Sequence, residues 1–137
     1  QNRIATDELL EWAYVYGNYY GVPKKQVQEA LTNGNHAIIR VDIQGAKRIR
    51  ELVPDALLLF IIPPSIDVLR KHLELRGVNS EPEMNRRLAA AAEEICQSDV
   101  FDYVITNEED QLDETVKKVL EIIEGESSRK PPGKTTV

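Results

Sequence analysis

Three groups of residues in this sequence have the types and spacing to do chemistry. The first is an acid and an amide at the ends of apolar runs: Asp42 lies at the end of the β-branched stretch from His36 to Ile43, and Asn107 follows Tyr103 to Thr106. An open parallel sheet binds its ligand beyond the carboxyl ends of its strands, so both residues stand where a ligand contact is made. An aspartate at that point is as often a cap or turn residue, and Asn107 has a plainer reading still. The second group is cationic, with Arg76 closing one helical pattern and Arg86 and Arg87 on the next, across a short polar loop. Guanidinium forks match phosphate oxygens in pairs, and several converging on a transferred phosphoryl group stabilise its developing charge. On pattern alone the competing reading is favoured, in which these arginines complement helix dipoles and pair with Glu81 or Glu83.

The third group sets Glu11 and Trp12 on one side of a turn and Tyr19 and Tyr20 on the other. A carboxylate can accept from two adjacent N–H donors on a purine edge, and a phenol can donate to a phosphate. Alternating aromatics on a hairpin more often reflect cross-strand packing. His36 and His72 have no acidic or cysteine companions at metal-ligand spacing, so no metal site is expected. Cys96, inside an amphipathic pattern, reads as core rather than nucleophile. Neither a Ser-His-Asp arrangement nor a Gly-rich phosphate loop ending in Gly-Lys-Ser/Thr occurs.

The elements that must position these residues alternate along the chain. Leu9 to Tyr20, interrupted by Gly17-Asn18, reads as two short strands around a tight turn. Pro23 suits the first turn of a helix carrying Val27, Ala30 and Leu31, with Gly34 as its stop. His36 to Ile43 reads as a strand, followed by a Gln44-Gly45 turn and a basic helix to Val53. Ala56 to Ile62 reads as a fully buried strand, and Ser65 as the N-cap of a helix burying Ile66, Leu69 and Leu73. A long helix from about Pro82 to Ser98, a strand from Tyr103 to Thr106 and a helix from Leu112 to Ile123 complete the order. From Gly125 onward the sequence has nothing to bury, and disorder is expected. Strands alternating with helices predict an α/β fold with a parallel sheet flanked by helices, to which the initial hairpin is appended as a small lobe.

With 137 residues and a net charge of −6, the chain is one acidic domain at most, which excludes bulk attraction to nucleic acid or anionic membrane. No apolar run approaches the ~18 residues of a membrane span. A single cysteine permits no internal disulfide and fits a reducing, cytoplasmic setting. The first residue is glutamine, which suggests a processed or excised chain.

Taken together and in order, these segments resemble guanylate kinase. Leu10-Glu11-Trp12-Ala13 with Gly17-Asn18-Tyr19-Tyr20-Gly21 resembles the hairpin of that family's GMP-binding lobe, and Val41-Asp42-Ile43-Gln44-Gly45-Ala46 its strand-turn motif. Phe60-Ile61-Ile62-Pro63-Pro64-Ser65 resembles the strand before the lid, Leu75-Arg76-Gly77 with Arg86-Arg87-Leu88 the lid, and Phe101 to Asn107 the last strand. The resemblance runs from about residue 9 to 123 and implies a P-loop nucleoside monophosphate kinase-like fold whose first strand and P-loop are absent. It implies a domain over 1–124, with a GMP-binding lobe at 9–34, core at 35–65 and 99–124, and a lid with flanking helices at 66–98, followed by a tail at 125–137.

The roles implied follow residue by residue. Glu11 would accept from the guanine N1 and 2-amino groups, Tyr20 would donate to the GMP phosphate, and Asp42 would lie close to the nucleotide. Arg76 and Arg87 would close over the triphosphate and the transferring group, and Asn107 would sit near the adenine of ATP. The partners implied are GMP and ATP, with Mg²⁺ carried by ATP and its protein ligand in the absent loop. The reaction implied is transfer of the γ-phosphoryl to GMP; without that loop these residues alone are expected to be inactive. Loss of a central strand is expected to favour a strand-exchanged homodimer. Val22 stands where the family places a hydroxyl residue, Arg40 where it has an acid, and His72 where it has a lid arginine. The alternative is a non-catalytic guanylate-kinase-like domain that binds phosphorylated peptide or nucleotide.

Overall fold

The hairpin forms because aromatic and branched residues, which fit a pleated, half-buried surface, dominate both strands. In a computed structural model that describes residues 6, 8–15, 18–78 and 80–129, β1 (Leu9–Val15) pairs antiparallel with β2 (Asn18–Pro23). Gly17, half of the expected turn pair, lies outside the described residues. The register sets Trp12 opposite Gly21 and Ala13 opposite Tyr20, then slips: Glu11 faces Val22 while Leu9 faces Pro23, which leaves Leu10 as an extra residue. This bulge was not foreseen. It explains why Leu10 and Glu11, adjacent in sequence, are both buried, since strict alternation would send them to opposite faces.

Helix α1 (Lys24–Thr32) follows directly, with Pro23 as N-cap rather than inside the first turn. The Gly34 N–H donates to the Leu31 carbonyl and the Asn35 N–H to that of Ala30, closing the helix as expected. The predicted strand from His36 to Ile43 is not formed: residues 35–42 carry no regular secondary structure and Ile38 is exposed. Branched side chains supply propensity, but a strand exists only through its ladder, and no described segment pairs with this one. Nor is Gln44-Gly45 a separate turn. Helix α2 (Ile43–Leu52) already begins at Ile43, capped by Asp42, whose Oδ1 accepts the Gly45 N–H at 2.8 Å. The helix buries Ile43, Gly45, Ala46 and Ile49 and packs on β1. Arg50 Nη1 donates to the carbonyls of Pro54 and Ala56, at 2.9 and 3.0 Å, and fixes the chain as it leaves the helix.

Residues 57–129 form a second compact unit. Strands β3 (Leu59–Ile62) and β4 (Tyr103–Thr106) pair in parallel, with Leu59 opposite Tyr103 and Ile62 opposite Thr106. Asp102 locks the entrance to this ladder. Its carboxylate accepts the Leu58 N–H at 2.8 Å and its own N–H donates to the Leu58 carbonyl at 2.9 Å. The rings of Phe60 and Phe101 stack beside it, 4.6 Å between centroids. The first strand is shorter than the predicted Ala56 to Ile62, and Ile61 is exposed rather than buried, because two strands cannot cover both faces of every residue.

Helix α3 (Ile66–Leu75) starts at Ser65, whose Oγ accepts the Val68 N–H at 3.2 Å, as the sequence predicts. It buries Val68 and Leu73 with Leu69 packed alongside, while Ile66, expected inside, is exposed. Its end is set by Gly77 at φ +88°, a left-handed conformation that a side chain would strain. The Val78 N–H then reaches back to the Leu73 carbonyl at 3.0 Å, and both side chains enter one core with Met84, Leu69 and Leu88. Helix α4 (Glu81–Cys96) supplies Met84, and Cys96 at its end is exposed rather than core. Helix α5 (Leu112–Arg129) runs past Gly125, where the tail was expected to begin; residues 130–137 lie outside the described residues. Among the described residues no helix is long and apolar enough to cross a membrane.

Candidate active site

Glu11 is the centre of the site. It is only 7% exposed although ionisable, and the fold around it explains how. The Leu10 bulge keeps it on the covered side of β1, and the N-terminus of α2 is the cover. Its carboxyl group rests against the bare Cα of Gly45, and Asp42 lies close enough to act on it electrostatically. Burial pushes the Glu11 carboxyl above its ordinary range, and the neighbouring Asp42 carboxylate pushes it further. No hydrogen bond to the Glu11 carboxylate is made by any described residue, and its oxygens are not sealed from solvent. An acid held this way is short of donors and open to a ligand that brings them.

Tyr20 belongs to the same face of the hairpin as Glu11, since Ala13–Tyr20 and Glu11–Val22 are alternate cross-strand pairs. It is 60% exposed, with its ring available to a ligand. Trp12 and Tyr19, grouped with them by the sequence, lie on the other face and pack on each other at 6.0 Å. Their role is cross-strand packing. Val22, directly opposite Glu11, brings a hydrocarbon where a hydroxyl would have added a donor.

Glu11 and Asp42 therefore come together in the first unit, with Tyr20 on the same hairpin face as Glu11. Arg76, Arg87 and Asn107 belong to the second unit. Arg76 is the exposed C-cap of α3. Arg87 forks onto Glu83 Oε1 through Nε at 3.0 Å and Nη2 at 2.7 Å, and Arg86 approaches the same oxygen at 3.7 Å. Asn107 extends the β4 ladder through its N–H to the Ile62 carbonyl, and its Oδ1 accepts from the buried Thr115 hydroxyl at 2.7 Å. Thr115 was missed by sequence reasoning, and nothing in its neighbourhood marks it. An open groove of about 640 Å³ along β4 and α5 holds none of the expected residues; Glu108, Glu121 and Glu126 outnumber Lys118 in its lining, a poor balance for phosphate. No cluster of three or more potential metal ligands occurs among the described residues.

This geometry has close counterparts. The guanylate kinase family model matches residues 1–126. A guanylate kinase of Carboxydothermus hydrogenoformans is 46% identical over 109 residues, covering 80% of this chain and 53% of the relative. That of Symbiobacterium thermophilum is 44% identical over 129 residues, covering 94% and 60%. The crystal structure of guanylate kinase from Anaplasma phagocytophilum superposes with a TM-score of 0.73 at 31% identity, covering 91% of this chain and 59% of that one. The chain thus spans a little over half the length of these relatives. The family-model match over most of the chain, together with its α/β elements (a small parallel strand pair, flanking helices and a β-hairpin), places the chain in the guanylate kinase family.

Proposed function

We propose that residues 9–46 are a guanine-reading lobe for GMP. The observation that carries this is the buried, donor-starved Glu11 between Asp42 and Gly45. Guanine offers adjacent donors at N1 and the 2-amino group, which together satisfy one carboxylate. Adenine presents an acceptor at N1 and would leave that carboxylate unpaired, the kind of mismatch that discriminates strongly. Tyr20 donates to the GMP phosphate from the same face. Arg76 and Arg87 act on the phosphates of the donor nucleotide and the transferring group, Arg87 after exchanging Glu83 for phosphate, and Asn107 contacts the adenine. The reaction of the whole protein is in-line transfer from ATP to GMP, giving ADP and GDP in the cytoplasm, where positioning and charge neutralisation supply the catalysis.

Mg²⁺ enters such reactions on the nucleotide phosphates, with few protein ligands. The described residues do not supply a metal-binding cluster, and no step here runs through the ion. These 137 residues also contain no Gly-rich phosphate loop: the one Gly-Lys-Thr triplet, at 133–135, has Ser128 where the loop pattern needs its first glycine. The expected result for this chain by itself is binding without turnover. Calorimetric titration should give GMP a Kd of roughly 0.1–1 mM, about −4 to −5.5 kcal/mol, with AMP much weaker, and ADP production with GMP and MgATP should stay at background. Equal affinity for both nucleotides would overturn the guanine reading, and ordinary turnover would overturn the inactivity. The exposed Tyr20 phenol, which would meet a phosphorylated side chain as readily as a GMP phosphate, leaves one second reading, a non-catalytic domain for phosphorylated peptide; phosphopeptide binding competed by GMP would support it.

We also propose that this chain associates with a second copy of itself. Support comes from the unpaired segment 35–42, the half-exposed Ile61 and Val104 on the strand pair, and the exposed stripe of Leu112, Val116 and Leu120 at helical i,i+4 spacing on α5. Sedimentation should show dimers growing with concentration. A strict monomer at all concentrations refutes this.

A further inference from the structure

We infer that Gly45 is a specificity-determining position: its bare Cα is the floor on which the Glu11 carboxylate stands, and any side chain there misplaces the group that reads the base. The inference rests on the guanine reading above and adds a residue to it.

A methyl group on Gly45 would stand 3.0 Å from Glu11 Cδ, 3.1 Å from Glu11 Oε1 and 2.8 Å from Val41 Cβ. Backbone conformation does not demand glycine, because the positive-φ glycines are Gly34 and Gly77. Gly45 is in the first turn of α2, where alanine is the better helix former. What glycine supplies there is space. Val41 Cβ, the nearest atom, can give way only with the backbone at the start of α2, whereas the far end of the Glu11 side chain yields by rotation, so it is the group most readily displaced. The Gly45 N–H is meanwhile committed to Asp42 at 2.8 Å and cannot follow a displaced carboxylate. The bulge contributes from the opposite side, holding Leu10 and Glu11 together on the covered face of β1.

Two-point recognition is sensitive to such displacement. Accepting from N1–H and the 2-amino group together requires both carboxylate oxygens in the plane of the base, and a shift of about half an ångström breaks the pair. IMP keeps the N1–H and lacks the 2-amino group, so the ratio of GMP to IMP affinity measures the second hydrogen bond, about 10-fold in the wild type.

The test compares wild type, Gly45→Ala, Glu11→Ala and the double variant of the same chain. Readouts are the GMP:IMP affinity ratio by calorimetry, the Glu11 carboxyl titration by ¹³C NMR, and unfolding. In Gly45→Ala the ratio should fall to near one, GMP affinity should drop about 10-fold or more, and the Glu11 midpoint should move down toward that of a solvated carboxyl. An unchanged ratio with an unchanged titration overturns the inference. If Gly45→Ala does not fold, recovery in the double variant shows that the collision is with Glu11, and no recovery refutes it. A wild type indifferent to GMP and IMP alike sinks the nucleotide reading; the Glu11 titration then still decides whether Gly45 holds the carboxylate.

Discussion

Glu11→Gln is expected to lose about 100-fold in GMP affinity while becoming harder to unfold at neutral pH. The loss follows because glutamine offers one acceptor where two donors arrive, and its own NH₂ opposes the second; hydrogen bonds to a charged group are worth roughly 1.5–3 kcal/mol each. The gain follows from the sign of the Glu11 shift. Burial first and Asp42 second raise its pKa in the fold above the reference value of 4.5. A raised carboxyl contributes stability that is fully present below about 4.5 and is lost as pH rises through the higher folded value. Once the pH exceeds that folded value the fold holds an ionised group it disfavours, and the neutral amide removes that cost. GMP affinity should run the other way, rising with pH through the same value, because only the carboxylate accepts both donors. Below that value, binding should release a proton, visible as a dependence of calorimetric enthalpy on buffer ionisation. A Glu11→Gln variant that keeps GMP selectivity, or a wild type whose GMP affinity is flat across this range, contradicts the assignment.

Met84→Ala should be the most damaging single change in residues 57–129. Met84 is 3% exposed and joins Leu73, Val78, Leu69 and Leu88 across the turn between α3 and α4. Truncating a buried methionine costs its transfer energy plus the cavity left behind, about 3 kcal/mol. That is a large share of the stability of a unit this small. Denaturant unfolding followed by helical ellipticity should show the loss, and Met84→Leu should restore most of it. A cost below about 1 kcal/mol would show that this cluster is not what holds α3 to α4.

The parts of this fold that were legible share a physical property: each is specified by neighbours in sequence. The hairpin is written in its turn and flanking branched residues, the start of α3 in Ser65, and the bounds of β4 in Tyr103 to Thr106. The segment from His36 to Ile43 failed because its strand character depends on a partner, and the burial of Ile61 failed because it depends on the width of the sheet. Asp42 was left between cap and ligand contact; the structure shows the cap and sets Asp42 beside Glu11, so the two readings are not exclusive. Helix α5 passes Gly125 because Glu126 beyond it is held by the Tyr103 hydroxyl, which donates to its Oε1 at 2.8 Å, and one glycine costs only about 1 kcal/mol. In the candidate site, family resemblance points to Glu11 and Tyr20, whereas the Gly45 contact has no signal in the sequence, since a close approach between residues far apart in the chain leaves no local pattern.

The extra residue in β1 carries a lesson about hairpin length. Deleting Leu10 would let Leu9 and Glu11 follow one another in a regular ladder opposite Pro23 and Val22. The ribbon would gain backbone pairing and lose the hydrocarbon neighbour that dries the glutamate beside it. A carboxylate in high dielectric is content with water and has little reason to prefer a base edge. On the proposed guanine reading, the irregularity that makes this a poorer ribbon is what fits it to be a receptor.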